Sequence, residues 1–237
     1  MITKNSPDPG SLFEPSGGSL LVDKPLGWSS FKVIYYLRKN TPIIKAGHAG
    51  TLDPLATGLL IVCSGKKTKE ISSYQDLSKE YTGSFRLGER TASMDAETPV
   101  IELRSFEHIT ESMVLDTSIS FCGEQLQTAP MYSAVNFKGK KLYELARKGK
   151  VVHREPRQIT IHSFDITEIN FPLISFKVRC SKGVYIRSLA NDFGEKLGCG
   201  AYLTELRRTK IGTFSVDDAI VPEDFKNMSN NIAISHN

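Results

Sequence analysis

Read from the N-terminus, the apolar positions fall into short runs that alternate between strand-like and helix-like spacing. Ser19-Leu20-Leu21-Val22-Asp23 predicts a strand, and Lys24-Pro25-Leu26-Gly27 the turn that follows it. Ser29 or Ser30 caps a helix over 31–38, which Asn40-Thr41-Pro42 ends. Leu59-Leu60-Ile61-Val62-Cys63 is continuously apolar and predicts a buried strand. A helix is expected over 68–77, and an alternating strand over 79–87 that carries Tyr81. Residues 91–99 are polar and loop-like. Thr110 caps a helix over 110–118 with a glutamate in its first turn. Two strand-like runs lie around Ala129-Pro130, Asn136-Phe137-Lys138-Gly139 is a turn, and Gly149 stops a helix over 141–148. Strands over 158–169 and 174–180 lead through Gly183 to an amphipathic helix over about 184–197 that Gly198 ends. A strand pair within 202–214 and a helical turn at Asp217-Asp218 complete the pattern. No repeat, internal linker or regular βαβ rhythm appears, which points to the α+β class. The expected architecture is a single domain over 18–221 with a mixed, mainly antiparallel sheet flanked by helices. A flexible arm over 1–17 precedes it and a short polar tail over 222–237 follows.

One segment does not fit the periodic pattern. Ala46 to Gly58 packs three glycines, one histidine, one carboxylate and a proline into thirteen positions, and reads as irregular. Glycine permits close approaches and backbone angles closed to other residues. Pro54 restricts Asp53 before it. The apolar run after the segment anchors it, so Asp53 is expected on a stiff loop, a common position for chemistry. On composition alone such an Asp-Pro pair is most often a plain turn.

Composition changes the picture little: 237 residues, 40% hydrophobic, 24% charged and a net charge of +4 describe an ordinary soluble chain. The distribution of charge says more. Between Lys138 and Arg157, eight basic residues face only Glu144 and Glu155, a plausible footprint for a phosphate backbone or else a solvated helix face. Cys63, Cys122, Cys180 and Cys199 lie far apart, and the five histidines lack ligand spacing. Free thiols in a reducing compartment and no metal site are therefore expected. Residues 1–18 lack the apolar core of a signal peptide, and no uncharged apolar run could span a bilayer. A cytoplasmic location, away from membranes, follows.

The string Gly47-His48-Ala49-Gly50-Thr51-Leu52-Asp53-Pro54-Leu55-Ala56-Thr57-Gly58 resembles the catalytic motif of the TruB family of tRNA pseudouridine synthases. Leu21 to Ser30, Lys79 to Thr91, Gln127 to Ala134 with Gly139 to Tyr143, Cys180 to Leu189 and Leu206-Arg207-Arg208 are similar to further motifs of that family, in order, over about residues 18–215. The resemblance implies the pseudouridine synthase fold and isomerisation of uridine-55 in the tRNA T loop to pseudouridine. The N1–C1′ bond is broken, the base turns, and C5 joins C1′, with no cofactor or metal. The nucleotide must be flipped into a pocket for this. The resemblance makes Asp53 the nucleophile, and either attack at C1′ or elimination through C2′ suits it. It makes Arg187 the cation paired with that aspartate, and Tyr81 the tyrosine that stacks on the target base and takes part in proton removal. Tyr185 and Leu206 line the same pocket, and His48 fills the stack left by the flipped bases. Lys24 and the basic 138–157 stretch contribute structural or phosphate contacts. The partner is the tRNA T stem-loop, bound by a monomer without an obligatory protein partner. Larger family members carry a C-terminal PUA domain, and the roughly 20 residues after the final motif are too few for one.

Three other readings compete. Ser64-Gly65-Lys66-Lys67-Thr68 brings a P-loop to mind, but Leu60 occupies its first glycine position and Lys67 stands where Ser or Thr is required. A non-catalytic tRNA-binding or tRNA-folding protein has no need of Asp53. A pseudouridine synthase acting on another RNA has a less similar loop.

Overall fold

The computed structural model describes residues 1–6 and 10–227. In chain order its elements are β1 (Ser19–Lys24), α1 (Ser30–Asn40), β2 (Ala46–Ala49), β3 (Ala56–Ser64), α2 (Ile71–Asp76), β4 (Lys79–Leu87), β5 (Glu89–Thr91), β6 (Val100–Leu103), α3 (Glu111–Ser120), β7 (Gly123–Gln127), β8 (Asn136–Phe137), β9 (Lys140–Lys141), α4 (Leu142–Ala146), β10 (Arg157–Asn170), β11 (Leu173–Cys180), α5 (Ile186–Leu197), β12 (Ala201–Ile211) and β13 (Phe214–Ser215). Short 3-10 segments occupy Gly10–Leu12, Gly65–Glu70 and Val216–Asp218. These residues make two compact units, Met1–Tyr81 with the chain from Leu206 onward, and Thr82–Glu205. The chain passes from one to the other inside β4 and β12, which is why no linker is visible in the sequence.

In the first unit the strand order is β1-β3-β12-β4, with β2 on β3 and β13 on β12. β3 pairs antiparallel with β1 and β2 and parallel with β12, so the sheet is mixed. The apolar run of β3 is buried on both faces, as a central strand must be. On one face Leu60 and Val62 pack with Leu20 and Val22 against Val33, Ile34 and Leu37 of α1. On the other, Leu59, Ile61 and Cys63 pack with Leu21, Ile211 and Val216. α1 starts where Ser29 accepts a hydrogen bond from the Lys32 main-chain N–H at 3.0 Å, the serine cap expected from the sequence.

Two expectations are revised here. Residues 1–17 are not a loose arm throughout: Ile2 pairs with Leu20, and Ile2 and Leu12 are buried in the α1 layer. Residues 7–9 of that arm lie outside those described. Of the expected polar tail, residues 222–227 are helical and Phe225 is fully buried in that layer, while 228–237 lie outside the described residues. Isolated apolar residues among Ser, Pro and Gly show no periodicity, so only the tertiary structure reveals that they are core.

The second unit has the order β12-β4-β11-β10-β7, with antiparallel pairing of β11 to β10 and β10 to β7. Its core is aromatic: Phe85, Phe164, Phe176 and Phe193 have ring centroids 4.8 to 5.7 Å apart. Gly198 ends α5 in the left-handed conformation, φ 80°. The fold is α+β, with a mixed, mainly antiparallel sheet flanked by helices. Among the described residues no helix is long and apolar enough to cross a membrane.

Candidate active site

Asp53 sits in the loop that joins β2 to β3, and the irregular segment is shorter than the sequence suggests. Ala46–Ala49 is strand and pairs with β3, Gly47 opposite Cys63 and His48 opposite Val62. Gly47 and two alanines hide that strand, because residues with little or no side chain carry a weak hydrophobic signal. The loop proper is residues 50–55, and main-chain bonds pin it on every side. Ser30 of α1 accepts a hydrogen bond from the Leu52 N–H at 2.8 Å and donates its hydroxyl to the Leu52 carbonyl at 3.1 Å. The Gly27 N–H donates to the Pro54 carbonyl at 2.8 Å, and the Ala56 N–H donates to the Asp53 carbonyl at 3.0 Å. Asp53 itself is half-buried.

Two buried cations belong to the same loop. Lys24 at the end of β1 lies opposite Gly58 of β3, and Gly58 lies opposite Arg208 of β12, so the three form one row across the sheet. Gly58 has φ +101°, and a Cβ there would come within 2.3 Å of the Arg208 carbonyl oxygen. Arg208 is 2% exposed. Its Nε donates to the Leu59 carbonyl at 2.7 Å and its guanidinium to the Gly50 carbonyl at 3.1 Å, which ties the first residue of the Asp53 loop to the sheet. Lys24 is fully buried; its Nζ donates to the Trp28 carbonyl at 2.6 Å and to the Pro25 carbonyl at 3.1 Å. Burial lowers its pKa from 10.5 to about 8, with the Asp53 carboxylate opposing that fall and Arg208 adding to it. Arg207, next along β12, grips Asp23 with two bonds of 3.0 and 2.6 Å.

His48 is half-buried, and its Nδ1 has no hydrogen-bond partner. Burial first, then the Arg208 guanidinium, lowers its pKa below the ordinary 6.5, so the imidazole is neutral at pH 7. Leu206 stands on β12 opposite Ala56, and Tyr81 is buried on β4. The first unit thus brings Lys24, His48 and Asp53 together with Arg208, a residue that sequence reasoning passed over. The Leu-Arg-Arg motif was visible, but an alternating strand gives no sign that Arg208 points into the protein.

Tyr185 and Arg187 open α5 in the second unit. Gln127 is 4% exposed and brackets Tyr185: the Tyr185 N–H donates to its Oε1 at 2.8 Å, and its Nε2 donates to the Tyr185 carbonyl at 3.1 Å. The Arg157 guanidinium lies over the Tyr185 ring, 5.7 Å from the centroid. Arg187 is 3% exposed; it donates to the carbonyls of Ser93 at 3.2 Å and Tyr132 at 2.8 Å and pairs with Asp95 at 3.3 Å. Asp95 was missed in the sequence because residues 91–99 read only as a polar loop. Of the basic stretch, Lys138, Lys140, Lys141, Arg147, Lys148, Lys150 and Arg157 are exposed.

The architecture is the pseudouridine synthase fold. A chain in the structure of an H/ACA RNP bound to a substrate RNA containing 2′-deoxyuridine matches 93% of this chain with a TM-score of 0.69 and 26% identity. A chain in a Cbf5-Nop10-Gar1 complex matches 96% with a TM-score of 0.70 and 27% identity. This chain spans 55% and 62% of those two. Residues 38–186 match the model of the TruB family pseudouridylate synthase N-terminal domain, and 187–233 that of the tRNA pseudouridylate synthase B C-terminal domain. The chain belongs to the TruB family. The tRNA pseudouridine synthase B of Chloroherpeton thalassium is 51% identical over 215 residues, 89% of each chain. That of Flavobacterium johnsoniae is 50% identical over 211 residues, 86% of this chain and 92% of its own.

Proposed function

We propose that this protein isomerises a tRNA uridine, uridine-55 of the T loop, to pseudouridine, with Asp53 as the nucleophile. The observation that carries this reading is the Asp53 loop: a carboxylate on a backbone held at residues 50, 52, 53 and 54, with Lys24 and Arg208 buried behind it. A nucleophile held this way loses little entropy on reaching the reacting carbon. A carboxylate also suits a glycosidic exchange, since it can form and release a covalent sugar adduct. In the overall change the N1–C1′ bond breaks, a C5–C1′ bond forms, and one proton leaves C5 while another reaches N1, so nothing is consumed.

The other residues keep the roles the resemblance implies. Tyr81 serves the base and its proton, Tyr185 and Leu206 line the pocket, and Arg187 supports the charge of the aspartate. His48 enters the vacated stack, and its low proton affinity suits that role, because a neutral ring stacks without bringing a charge among the bases. Exposed Lys and Arg residues between 138 and 157 supply phosphate contacts. The protein acts as a cytoplasmic monomer on the tRNA T stem-loop, without an obligatory protein partner. The test is incubation with an unmodified tRNA transcript, followed by carbodiimide treatment and primer extension. A stop at the T-loop uridine supports the reading, and an unmodified T loop after prolonged incubation overturns it.

A further inference from the structure

Between Asp23 and Asp53 the chain carries five cations and no carboxylate. Lys24 is buried, but Lys32, Arg38, Lys39 and Lys45 are exposed. The same segment exposes apolar surface that a water-facing helix has no reason to keep: Phe31 is 70% exposed, Tyr35 58% and Ile44 86%. Phe31 and Tyr35 are one turn apart on α1, so their rings share a face. With Arg38, Lys39 and Ile44 they line an open groove of about 540 Å³. Ile44 also borders a second hollow of about 330 Å³, where Lys45, Lys66 and Lys69 outnumber Glu14. Flat rings interleaved with unopposed cations are the chemistry of a surface for unpaired nucleotides: rings stack on bases, and Lys and Arg hold phosphates. A protein partner would more commonly meet an apolar centre from which charge is depleted.

The helix that carries this face is tied to the Asp53 loop, since Ser30 at the first turn of α1 holds Leu52. We infer that this α1 face is a second contact for the same tRNA, taking unpaired nucleotides outside the T stem-loop. This rests on the tRNA reading above and goes beyond it: the face would bind the whole tRNA without contributing to chemistry at the T-loop uridine.

The test compares an unmodified full-length tRNA transcript with its isolated T stem-loop. Two variants are used, Phe31→Ser with Tyr35→Ser, and Arg38→Glu with Lys39→Glu; all four side chains are exposed. Each variant should raise the Kd for full-length tRNA about tenfold, the scale of one lost stacking contact or a few lost phosphate contacts. The charge variant should also lower the slope of log K against log salt by about 1 to 2. Binding and turnover of the T stem-loop should not change in either. Equal weakening on both RNAs overturns the inference, and so does unchanged binding of both, which would leave the face to a protein partner. A wild-type protein that modifies neither RNA instead refutes the proposed function, so the two failures are told apart.

Discussion

Replacing Lys24 by Met tests the electrostatics behind the Asp53 loop. The ammonium is fully buried, and its folded pKa of about 8 lies below the ordinary 10.5. Folding therefore disfavours the charged form by about 3 kcal/mol, at about 1.4 kcal/mol per unit. Below pH 8 the lysine is charged in both states, and the folded state bears the whole cost. Between pH 8 and 10.5 the unfolded chain keeps a proton that the folded chain has released, so stability rises with pH. Above that window both states are neutral and the cost is gone. Lys24→Met fills nearly the same volume and cannot titrate, but it leaves the carbonyls of Pro25 and Trp28 without a donor, a loss independent of pH. Urea denaturation of both proteins at pH 7 and pH 10 gives the comparison, and other titrating groups cancel in the difference. The stability of wild type relative to the variant should rise by about 2–3 kcal/mol over that interval. A difference that stays flat, or falls, refutes the buried-cation account.

Two further outcomes follow from single contacts. Asp95→Asn removes the anion beside the buried Arg187 and should cost about 3 kcal/mol by denaturation, the scale of breaking a buried pair by removing one partner. A cost like that of an exposed ion pair would show that Arg187 does not depend on Asp95. Gly58→Ala forces a side chain onto a positive φ and against the Arg208 backbone, so β3 and β12 must part beside the Asp53 loop. It should destabilise by about 3 kcal/mol or more and reduce turnover, and a variant as stable as wild type would contradict the row from Lys24 to Arg208.

Much of the fold could be read from the sequence where side chains repeat. The strand over 79–87, the capped helix after Thr110 and the helix stopped by Gly198 all have periodic apolar residues or a cap that declares them. What could not be read depends on partners distant in sequence. β2 exists because β3 pairs with it, not because Ala46-Gly47-His48-Ala49 prefers to be extended. Ile2, Leu12 and Phe225 are core residues only once α1 and β1 are in place. In the site, Asp53 and Arg187 were legible as motif members, whereas the burial of the Arg208 side chain depends on carbonyls of Gly50 and Leu59, about 150 positions away in sequence. The pairing of Asp95 with Arg187 spans 92 positions, and local pattern carries no trace of it.

The central claim is that the Asp53 carboxylate does the chemistry and that the loop around it exists to hold it. Asp53→Asn keeps the size of the side chain and the loop's main-chain bonds while removing the nucleophile. With an unmodified tRNA transcript, pseudouridine mapping should find no product from this variant even at enzyme excess, and filter binding should find the tRNA held as tightly as by wild type. Wild-type product from Asp53→Asn would contradict the account.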